Sequence, residues 1–205
     1  GASVAVIHIR KKQVQVKIVY VGPGRGGKTT NLEYIFKKIR HRILSDMVSI
    51  KTHGDRTLFF DFLPFDLGQI QGYKIKTQLY TVPGQVKYNA TRKLVLKGVD
   101  GVVFVADSMM VMREKNIQAL KNLEENLAFY DIDIYDNFPI IMQYNKRDLA
   151  NSGIPLLDIE TMEADLNSTL KATAFEASAI KGNNVIPTVK KAISTTIVSM
   201  QDQLA

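Results

Sequence analysis

A glycine-rich segment that ends in lysine and threonine is the part of this 205-residue chain best suited to bind a charged ligand. Residues 22–29 read Gly-Pro-Gly-Arg-Gly-Gly-Lys-Thr and fit the pattern G-x-x-x-x-G-K-[ST]. The backbone N–H groups of such a loop surround phosphate oxygens, and the N-terminus of a following helix adds donors and partial positive charge. We therefore expect a phosphate-binding loop that comprises Gly22, Pro23, Gly24, Arg25, Gly26, Gly27, Lys28, Thr29 and Thr30.

The residues on either side of this loop favour that interpretation over a glycine-rich turn with a chance lysine. Residues 14–21 form an apolar run typical of a buried strand, and residues 30–39 have the pattern of a helix. In such a unit Lys28 reaches the β- and γ-phosphates of a nucleoside triphosphate, and the Thr29 hydroxyl is a ligand of Mg²⁺. The motif by itself specifies neither the base nor hydrolysis.

A second polar motif indicates the base. Asn145, Lys146 and Asp148 follow residues 139–144, an apolar run typical of a buried strand. Asp148 can accept from the N1–H and exocyclic amine of guanine, Asn145 serves the six-keto and N7 side, and the Lys146 stem covers the ring. Adenine would leave the buried Asp148 carboxylate unpaired. A polar turn after a strand often has such a sequence, but behind a phosphate loop it predicts a guanine nucleotide.

The middle of the chain contains residues suited to sensing a γ-phosphate. Residues 81–85 read Thr-Val-Pro-Gly-Gln after a predicted strand. The Gly84 N–H would bind the γ-phosphate and the Gln85 amide would orient the attacking water. A Pro-Gly turn describes the same backbone and does not conflict with these roles. Ras-like proteins have an aspartate that anchors Mg²⁺ where this chain has Thr81, whose hydroxyl can hold a metal-bound water but has no charge.

Three residues further upstream are candidates to complete this side of the site. Thr57 stands at the start of a predicted strand, where small GTPases complete the Mg²⁺ shell with a threonine hydroxyl. Asp61 lies in that strand and is a candidate for the carboxylate that Thr81 lacks. Arg56 is placed to neutralise charge at the γ-phosphate, and such an arginine supplied in cis raises the rate of hydrolysis by about 10³-fold or more. A lone loop arginine is otherwise exposed to solvent, and both interpretations of Arg56 stay open.

The composition indicates a cytoplasmic α/β protein. With 45% hydrophobic residues, the chain is long enough to bury a core. It contains no cysteine, which excludes disulfides, thiolate metal sites and lipidated cysteine. No stretch approaches the roughly 18–20 apolar residues that span a bilayer. The N-terminus lacks a basic-then-apolar signal peptide, so we expect neither a transmembrane nor a lipid anchor.

The formal net charge of +7 allows two interpretations. Basic residues cluster at residues 10–12 and at Lys37, Lys38, Arg40 and Arg42. Solvated turns and helix C-termini favour such residues, but an acidic partner or peripheral contact with an anionic membrane would also use them. No aromatic interleaving or nucleic-acid-binding signature accompanies the clusters, so we expect no nucleic-acid partner.

Strand and helix patterns alternate along the chain. Residues 4–9 and 14–21 predict a hairpin ahead of the phosphate loop. Periodicity then predicts helices at residues 30–42, 113–129, 158–170 and 187–200, and strands at residues 57–62, 73–82, 101–106, 140–144 and 172–177. Such alternation implies a parallel sheet covered on both faces. We predict an α/β fold: a P-loop NTPase with a Ras-like, mostly parallel six-stranded sheet and an extra N-terminal hairpin, as a single small-GTPase domain over residues 1–205 with residues 1–13 as the hairpin extension.

Several segments resemble the MglA family, bacterial small GTPases of cell polarity and of gliding or pilus-driven motility. The resemblance is carried by residues 22–24, 27–30, 57–64, 79–85, 97–108 and 143–149. It runs from about residue 14 to residue 148 and then thins. Residues 177–179 resemble the guanine-side loop of the superfamily, which implies that Ser178, Ala179 and Ile180 contact the base. The extra hairpin also suits the family.

The resemblance implies a two-state switch that uses Mg²⁺. It implies an intrinsic arginine that matches Arg56, a glutamine that matches Gln85, and a register shift of the strand at residues 73–82; the threonine at position 81 is then a family trait. It also implies an MglB-like roadblock homodimer as GTPase-activating partner, motility or polarity effectors, and location at a cell pole. The chain departs from the family at Arg25 and Gly26 and at residues 52–54, so a divergent paralogue with another partner is the alternative.

Two functions of different classes remain open at this point. In the first, the protein is a GTP hydrolase in which Gln85, Arg56 and Lys28 are catalytic. In the second, it is a guanine-nucleotide-gated recruitment module with little intrinsic hydrolysis. Unassisted turnover in small GTPases is of the order of 10⁻⁴ s⁻¹, so an isolated chain of either class would look alike without its partner.

Overall fold

A computed structural model describes residues 7–8, 13–39, 48–52, 55–60 and 74–204. For residues 7–8, 48–52 and 55–60 the description covers the backbone. The predicted metal ligand Asp61 lies outside the described residues.

The described residues form eight strands and five helices. The strands are β1 (Ile7–His8), β2 (Gln13–Val21), β3 (Val48–Thr52), β4 (Asp55–Phe60), β5 (Lys74–Thr81), β6 (Gly101–Asp107), β7 (Ile140–Asn145) and β8 (Ala174–Glu176). The helices are α1 (Lys28–Ile39), α2 (Asn89–Val95), α3 (Arg113–Phe129), α4 (Ile159–Leu166) and α5 (Val185–Leu204). Short 3-10 turns occupy Val86–Tyr88, Met110–Met112 and Arg147–Ser152.

The strands form one sheet in the order β3-β4-β5-β2-β6-β7-β8, with β1 antiparallel to β2. Strands β5, β2, β6, β7 and β8 are parallel, whereas β3 and β4 form an antiparallel hairpin against β5. The mostly parallel sheet and the extra N-terminal hairpin are confirmed. The strand count differs from the predicted six because β1 extends the sheet and β3 was not predicted. The β3 sequence alternates over only five residues, and its strand state depends on pairing with β4.

Two helical layers cover the sheet. On one face, apolar side chains of α1 and α5 pack on the central strands, and on the other face those of α3 and α4 do so. Strands β6 and β7 are buried along their whole length, which explains why their sequences are largely apolar. Among the described helices, none is long and apolar enough to cross a membrane.

Helix α2 was not predicted, and α4 is shorter than its pattern suggested. The stretch from residue 86 to residue 97 contains neither glycine nor proline, and this was the available signal for α2. Helix α4 begins after Asp158, whose side chain accepts from the Thr161 N–H at 2.7 Å. It ends at Leu166 because the Asn167 side chain bonds to the backbone of Ala172, which directs the chain towards β8.

Candidate nucleotide-binding site

A cavity of about 1190 Å³ lies where β2, β5 and β7 end. Ligands of open α/β sheets bind at this edge because the loops that follow the parallel strands meet there. Most residues predicted to bind nucleotide line the cavity, namely Gly22, Pro23, Gly24, Arg25, Gly27, Lys28, Thr29, Thr30, Gly84, Asn145, Lys146, Asp148, Ala179 and Ile180. Gly26 is buried behind this surface, and Ser178 lines a smaller neighbouring cavity that it shares with Asp148.

The phosphate loop turns tightly between β2 and α1. The Gly26 N–H donates to the Pro23 carbonyl at 3.1 Å, and α1 begins at Lys28. Gly27 has a φ of 112°, and a Cβ at this position would lie 2.0 Å from Asn145 Nδ2. Glycine is therefore required at Gly27 both by backbone conformation and by the close approach of a neighbouring loop.

Lys28 is held at the phosphate loop itself. Its side chain is buried, and its Nζ donates to the carbonyls of Gly22 at 2.9 Å and Pro23 at 2.8 Å. These bonds keep the ammonium inside the curve of the loop, where the predicted contact with phosphates requires it. Thr29, the predicted Mg²⁺ ligand, follows directly and lines the same cavity.

Arg25, the residue at which the chain departs from the MglA pattern, is exposed at the rim of the cavity. Its φ of 61° lies in the left-handed region, which costs a residue other than glycine about 1–2 kcal/mol. The backbone of the loop is therefore strained at Arg25, but the exposed position leaves room for the arginine side chain.

Asn145 joins the phosphate loop to the loops on the base side. Its Nδ2 donates to the Gly26 carbonyl at 2.8 Å, and its Oδ1 accepts from the Ala179 N–H at 2.8 Å. Asn145 is 2% exposed. The sequence predicted Asn145 as a base contact, and the structure adds a role in connecting three chain segments that are distant in sequence.

Lys146 and Asp148 lie on the cavity wall beside Asn145. Lys146 has a left-handed φ of 71°, and its Nζ forms an ion pair at 2.7 Å with the fully buried carboxylate of Asp107. This pair fixes the end of the Lys146 side chain, so that its stem is available as a surface for a ring. Asp148 stands in the first turn of the short helix Arg147–Ser152. We define residues 145–148 and 177–180 as the base loops.

The residues predicted to sense the γ-phosphate lie against the phosphate loop. We define residues 83–86 as the sensor segment. A Cβ at Gly84 would lie 2.3 Å from the Gly24 backbone nitrogen, so the two backbones touch. Gln85 lines the cavity, whereas Thr81 is fully buried at the end of β5 and is not among the lining residues.

Arg56 lies within β4 and not in a loop before it, and Thr57 lies in the same strand, as the predicted strand over residues 57–62 requires. The backbone of Arg56 pairs with Lys51 and that of Thr57 with Ile50, in the antiparallel hairpin of β3 and β4. The expected loop at this point is therefore wrong, because the unpredicted strand β3 extends the pairing. The catalytic role of Arg56 and the Mg²⁺ role of Thr57 stay predictions, since their side chains lie outside the description.

Two of the cavity residues that were not predicted from the sequence form a hydrogen-bonded pair. Arg92 of α2 and Asn122 of α3 line the cavity and bond to each other, with Arg92 Nε donating to Asn122 Oδ1 at 2.9 Å. Arg92 is nearly buried. An arginine followed by a lysine ordinarily indicates a solvated helix face, so the local sequence contained no signal for this pair.

The charges around the cavity suit a polyphosphate with a metal ion. Six cationic and two acidic side chains line it: Arg25, Lys28, Arg92, Lys115, Lys121, Lys146, Glu125 and Asp148. Within the described residues, no group of three or more His, Cys, Asp or Glu side chains is arranged to hold a metal. Mg²⁺ fits such a site, because it is usually held by one or two protein oxygens together with phosphates and water. The Thr29 hydroxyl is one suitable oxygen on this wall.

Comparisons with known proteins agree with this geometry. A model of the Ras family matches residues 17–198. The mutual gliding-motility protein MglA of Myxococcus xanthus is 45% identical over 195 residues, which are 95% of this chain and 97% of that protein. An uncharacterized protein of Methanocaldococcus jannaschii is 25% identical over 185 residues, which are 90% of this chain and 99% of that protein. With a phosphate loop and base loops around one cavity, the chain belongs to the Ras family and is an MglA-type small GTPase.

Proposed function

We propose that the protein is a guanine-nucleotide switch that binds GTP and GDP with Mg²⁺, hydrolyses GTP to GDP and phosphate, and controls cell polarity and motility through effectors. The observation that carries this proposal is the pair of hydrogen bonds by which Asn145 joins the phosphate loop to the base loops. Through it, one cavity contains both a phosphate-binding loop and the Asp148 carboxylate suited to guanine. A phosphate site and a base site that share one buried side chain favour a single nucleotide as ligand.

Different residues on the cavity wall bind different parts of the nucleotide. The loop N–H groups and the Lys28 ammonium bind the β- and γ-phosphates, and the base loops bind guanine through Asp148. The Thr29 hydroxyl, with Thr81, Thr57 and Asp61 as further candidates, would hold Mg²⁺, which neutralises charge on the phosphates when bound. Guanine preference follows because adenine cannot donate to Asp148.

Hydrolysis requires a water in line with the γ-phosphate. Gln85 lines the cavity in the sensor segment and is the residue we assign to orient that water through its amide. Lys28, and Arg56 as the intrinsic arginine, stabilise the charge that develops on the transferred phosphoryl group. We assign stimulation of this step to an MglB-like roadblock homodimer, by analogy with the family.

Single-turnover hydrolysis of GTP tests the proposal, with and without a roadblock homodimer. We expect slow turnover that the partner stimulates, and a loss of roughly 10²-fold or more in the Gln85→Ala variant, because one positioned group typically contributes at least 10²-fold. Gln203→Ala, an exposed glutamine near the end of α5, is the matched control and should behave as the native chain. Equal rates for the native chain and Gln85→Ala with the partner present would contradict the hydrolase.

A recruitment module with little intrinsic hydrolysis is the second candidate function. It is favoured by two exposed apolar side chains, Val86 of the sensor segment at 82% exposure and Leu94 of α2 at 69% exposure. Exposed apolar residues on the sensor segment and on the helix that follows it suit an effector that binds one nucleotide state. Pull-down of effectors with a non-hydrolysable GTP analogue, compared with GDP, tests this function separately from the rate of hydrolysis.

A further inference from the structure

One arginine outside the predicted motifs holds the sensor segment. Arg92 Nη1 donates to the Pro83 carbonyl at 3.1 Å and also to the Gln85 carbonyl, and its Nη2 donates to the Val86 carbonyl at 3.4 Å. A single guanidinium therefore contacts three of the four carbonyls of the segment. The contact with Gln85 is made to its backbone, and the side-chain amide of the same residue is the group that we assign to orient the attacking water.

The guanidinium is itself fixed by α3. Arg92 Nε donates to Asn122 Oδ1 at 2.9 Å, and Asn122 Nδ2 donates to Asn89 Oδ1 at 2.9 Å. Asn126 Nδ2 donates to the same two oxygens, each at 3.1 Å. The three asparagines thus join α3 to the start of α2 and leave the Arg92 side chain little freedom to rotate.

The chemistry of Arg92 is unusual for a residue that merely packs. It is 7% exposed, and burial lowers the pKa of its guanidinium. Among the described residues it has no carboxylate within ion-pair distance, so neutral oxygens alone compensate its charge there. An apolar side chain would fill this space at a lower desolvation cost. What an apolar side chain lacks is a planar set of donors that orients several carbonyls at once.

We propose that Arg92, oriented by Asn122, is a positioning residue for Gln85. By fixing the Gln85 carbonyl and its two neighbours in the sensor segment, Arg92 determines where the Gln85 amide stands relative to the γ-phosphate. Arg92 acts through Gln85 and not on the substrate. The inference rests on the proposed GTP hydrolysis and deepens it by one residue pair.

Arg92→Lys tests the inference because lysine keeps the charge but cannot bond several carbonyls in one plane. Since misplacement by about 1 Å costs up to 10²-fold, we expect single-turnover hydrolysis with the roadblock partner to fall roughly 10- to 100-fold. Affinity for GDP should stay within about twofold, since the hydrogen bonds of Arg92 to described residues involve none of the residues assigned to bind GDP. Arg113→Lys, at the exposed ion pair with Asp165, is the matched control and should keep the native rate.

The double variant Arg92→Lys/Gln85→Ala decides whether Arg92 acts through Gln85. If it does, the double variant is as slow as Gln85→Ala and no slower, because nothing remains to be positioned. The inference would be overturned if the losses in rate of the two single variants multiplied in the double variant. It would also be overturned if the GDP affinity of Arg92→Lys fell as much as its rate of hydrolysis.

Asn122 provides a rescue experiment. Asn122→Asp keeps an oxygen for Arg92 Nε and should retain the native rate within about twofold, whereas Asn122→Leu should be slowed roughly as much as Arg92→Lys. Equal rates for these two variants would contradict the role of Asn122.

Hydrogen exchange of the GDP-bound protein gives a readout without catalysis. Arg92→Lys should increase deuterium uptake in residues 83–88, and unchanged uptake would overturn the inference. Failure of the proposed function looks different: the native chain with the partner would then show no hydrolysis that depends on Gln85. In that case the positioning role of Arg92 is also refuted. If instead the Gln85→Ala variant hydrolyses GTP slowly and the Arg92→Lys variant hydrolyses it at the native rate, only the positioning role is refuted.

Discussion

The phosphate loop and the sensor segment line the same cavity, yet they are anchored in different ways. The loop continues directly into α1, encloses Lys28, and is joined to the base loops through Asn145. The sensor segment follows β5, and three of its four carbonyls accept hydrogen bonds from one arginine of α2. Under the proposed function, the region that binds both GTP and GDP is thus built into the core, whereas the region that distinguishes them depends strongly on the contacts of a single side chain.

The largest expected effect concerns the base loops. Asp148→Asn should weaken GDP binding roughly 10²- to 10⁴-fold, because two hydrogen bonds to a carboxylate contribute about 1.5–3 kcal/mol each. Xanthosine diphosphate should bind this variant better than the native chain, since it presents a carbonyl to the new amide. Titration with fluorescent nucleotides measures both. Asp165→Asn, which changes a carboxylate outside the cavity, is the control. A native GDP affinity in Asp148→Asn would refute the assignment of the base.

A smaller loss of GDP affinity is expected from Gly27→Ala, because this substitution disturbs the contact between the phosphate loop and Asn145. The added Cβ would lie 2.0 Å from Asn145 Nδ2 at a positive φ. Strain of about 1–3 kcal/mol corresponds to a roughly 5- to 150-fold weaker GDP affinity. Gly153→Ala is a sharp control, because Gly153 also has a positive φ but has nothing within 4 Å of a Cβ. If both variants bind GDP equally well, the close approach at Gly27 is unimportant.

Asn145→Ala measures how strongly the loop and the base loops are coupled. The variant leaves the Gly26 carbonyl and the Ala179 N–H without this partner, at about 1–3 kcal/mol for each buried group. We expect the melting temperature to fall by several degrees, at about 2–4 °C per kcal/mol, and GDP to bind roughly 10-fold more weakly. Ser194→Ala, which removes one exposed hydrogen bond to the Lys191 carbonyl within α5, should change neither by much.

Gly84→Ala tests the other side of the comparison. Its Cβ would meet the Gly24 backbone at 2.3 Å, so the sensor segment must move away from the loop. Since the loop keeps its own anchors, we expect GDP affinity to stay within about threefold while hydrolysis falls roughly 10-fold or more. A GDP affinity as weak as that of Gly27→Ala would show that the two regions are not separately anchored.

The smallest effect on nucleotide binding is expected from Asp100, at the opposite end of the sheet. Burial raises the pKa of its carboxyl to about 7, against the opposing effects of the Lys17 N–H and ammonium. The folded protein therefore binds more protons than the unfolded chain between about pH 4 and pH 7, and its stability falls as the pH rises through this window, by up to about 4 kcal/mol. Asp100→Asn should abolish this decline in urea unfolding at pH 5 and pH 8, with GDP affinity unchanged. A decline that persists in the variant would assign it to another group.

The sequence predicted the anchored region far better than the sensor region. The phosphate loop and the Asn145–Asp148 motif could be predicted because their chemistry depends on spacing within one short segment. Arg92 could not, because its role arises where α2 meets α3 and the backbone of residues 83–86. Strand β3 was missed for a similar reason: its five residues become a strand by pairing with β4, a contact that local periodicity does not contain.

The pairing of β5 with β2 limits the positions that β5 can occupy in the sheet. The two strands are in parallel register from Gln13 opposite Lys74 to Tyr20 opposite Thr81, and buried and less buried side chains alternate along β5. A slide by one residue would turn Thr77 and Leu79 out of the core, so the sheet tolerates steps of two residues, about 6.6 Å. Under the proposed function, a displacement of β5 would therefore bring Gly84 to one of a few discrete positions relative to the phosphate loop, and contact with a γ-phosphate would be made or lost in one step.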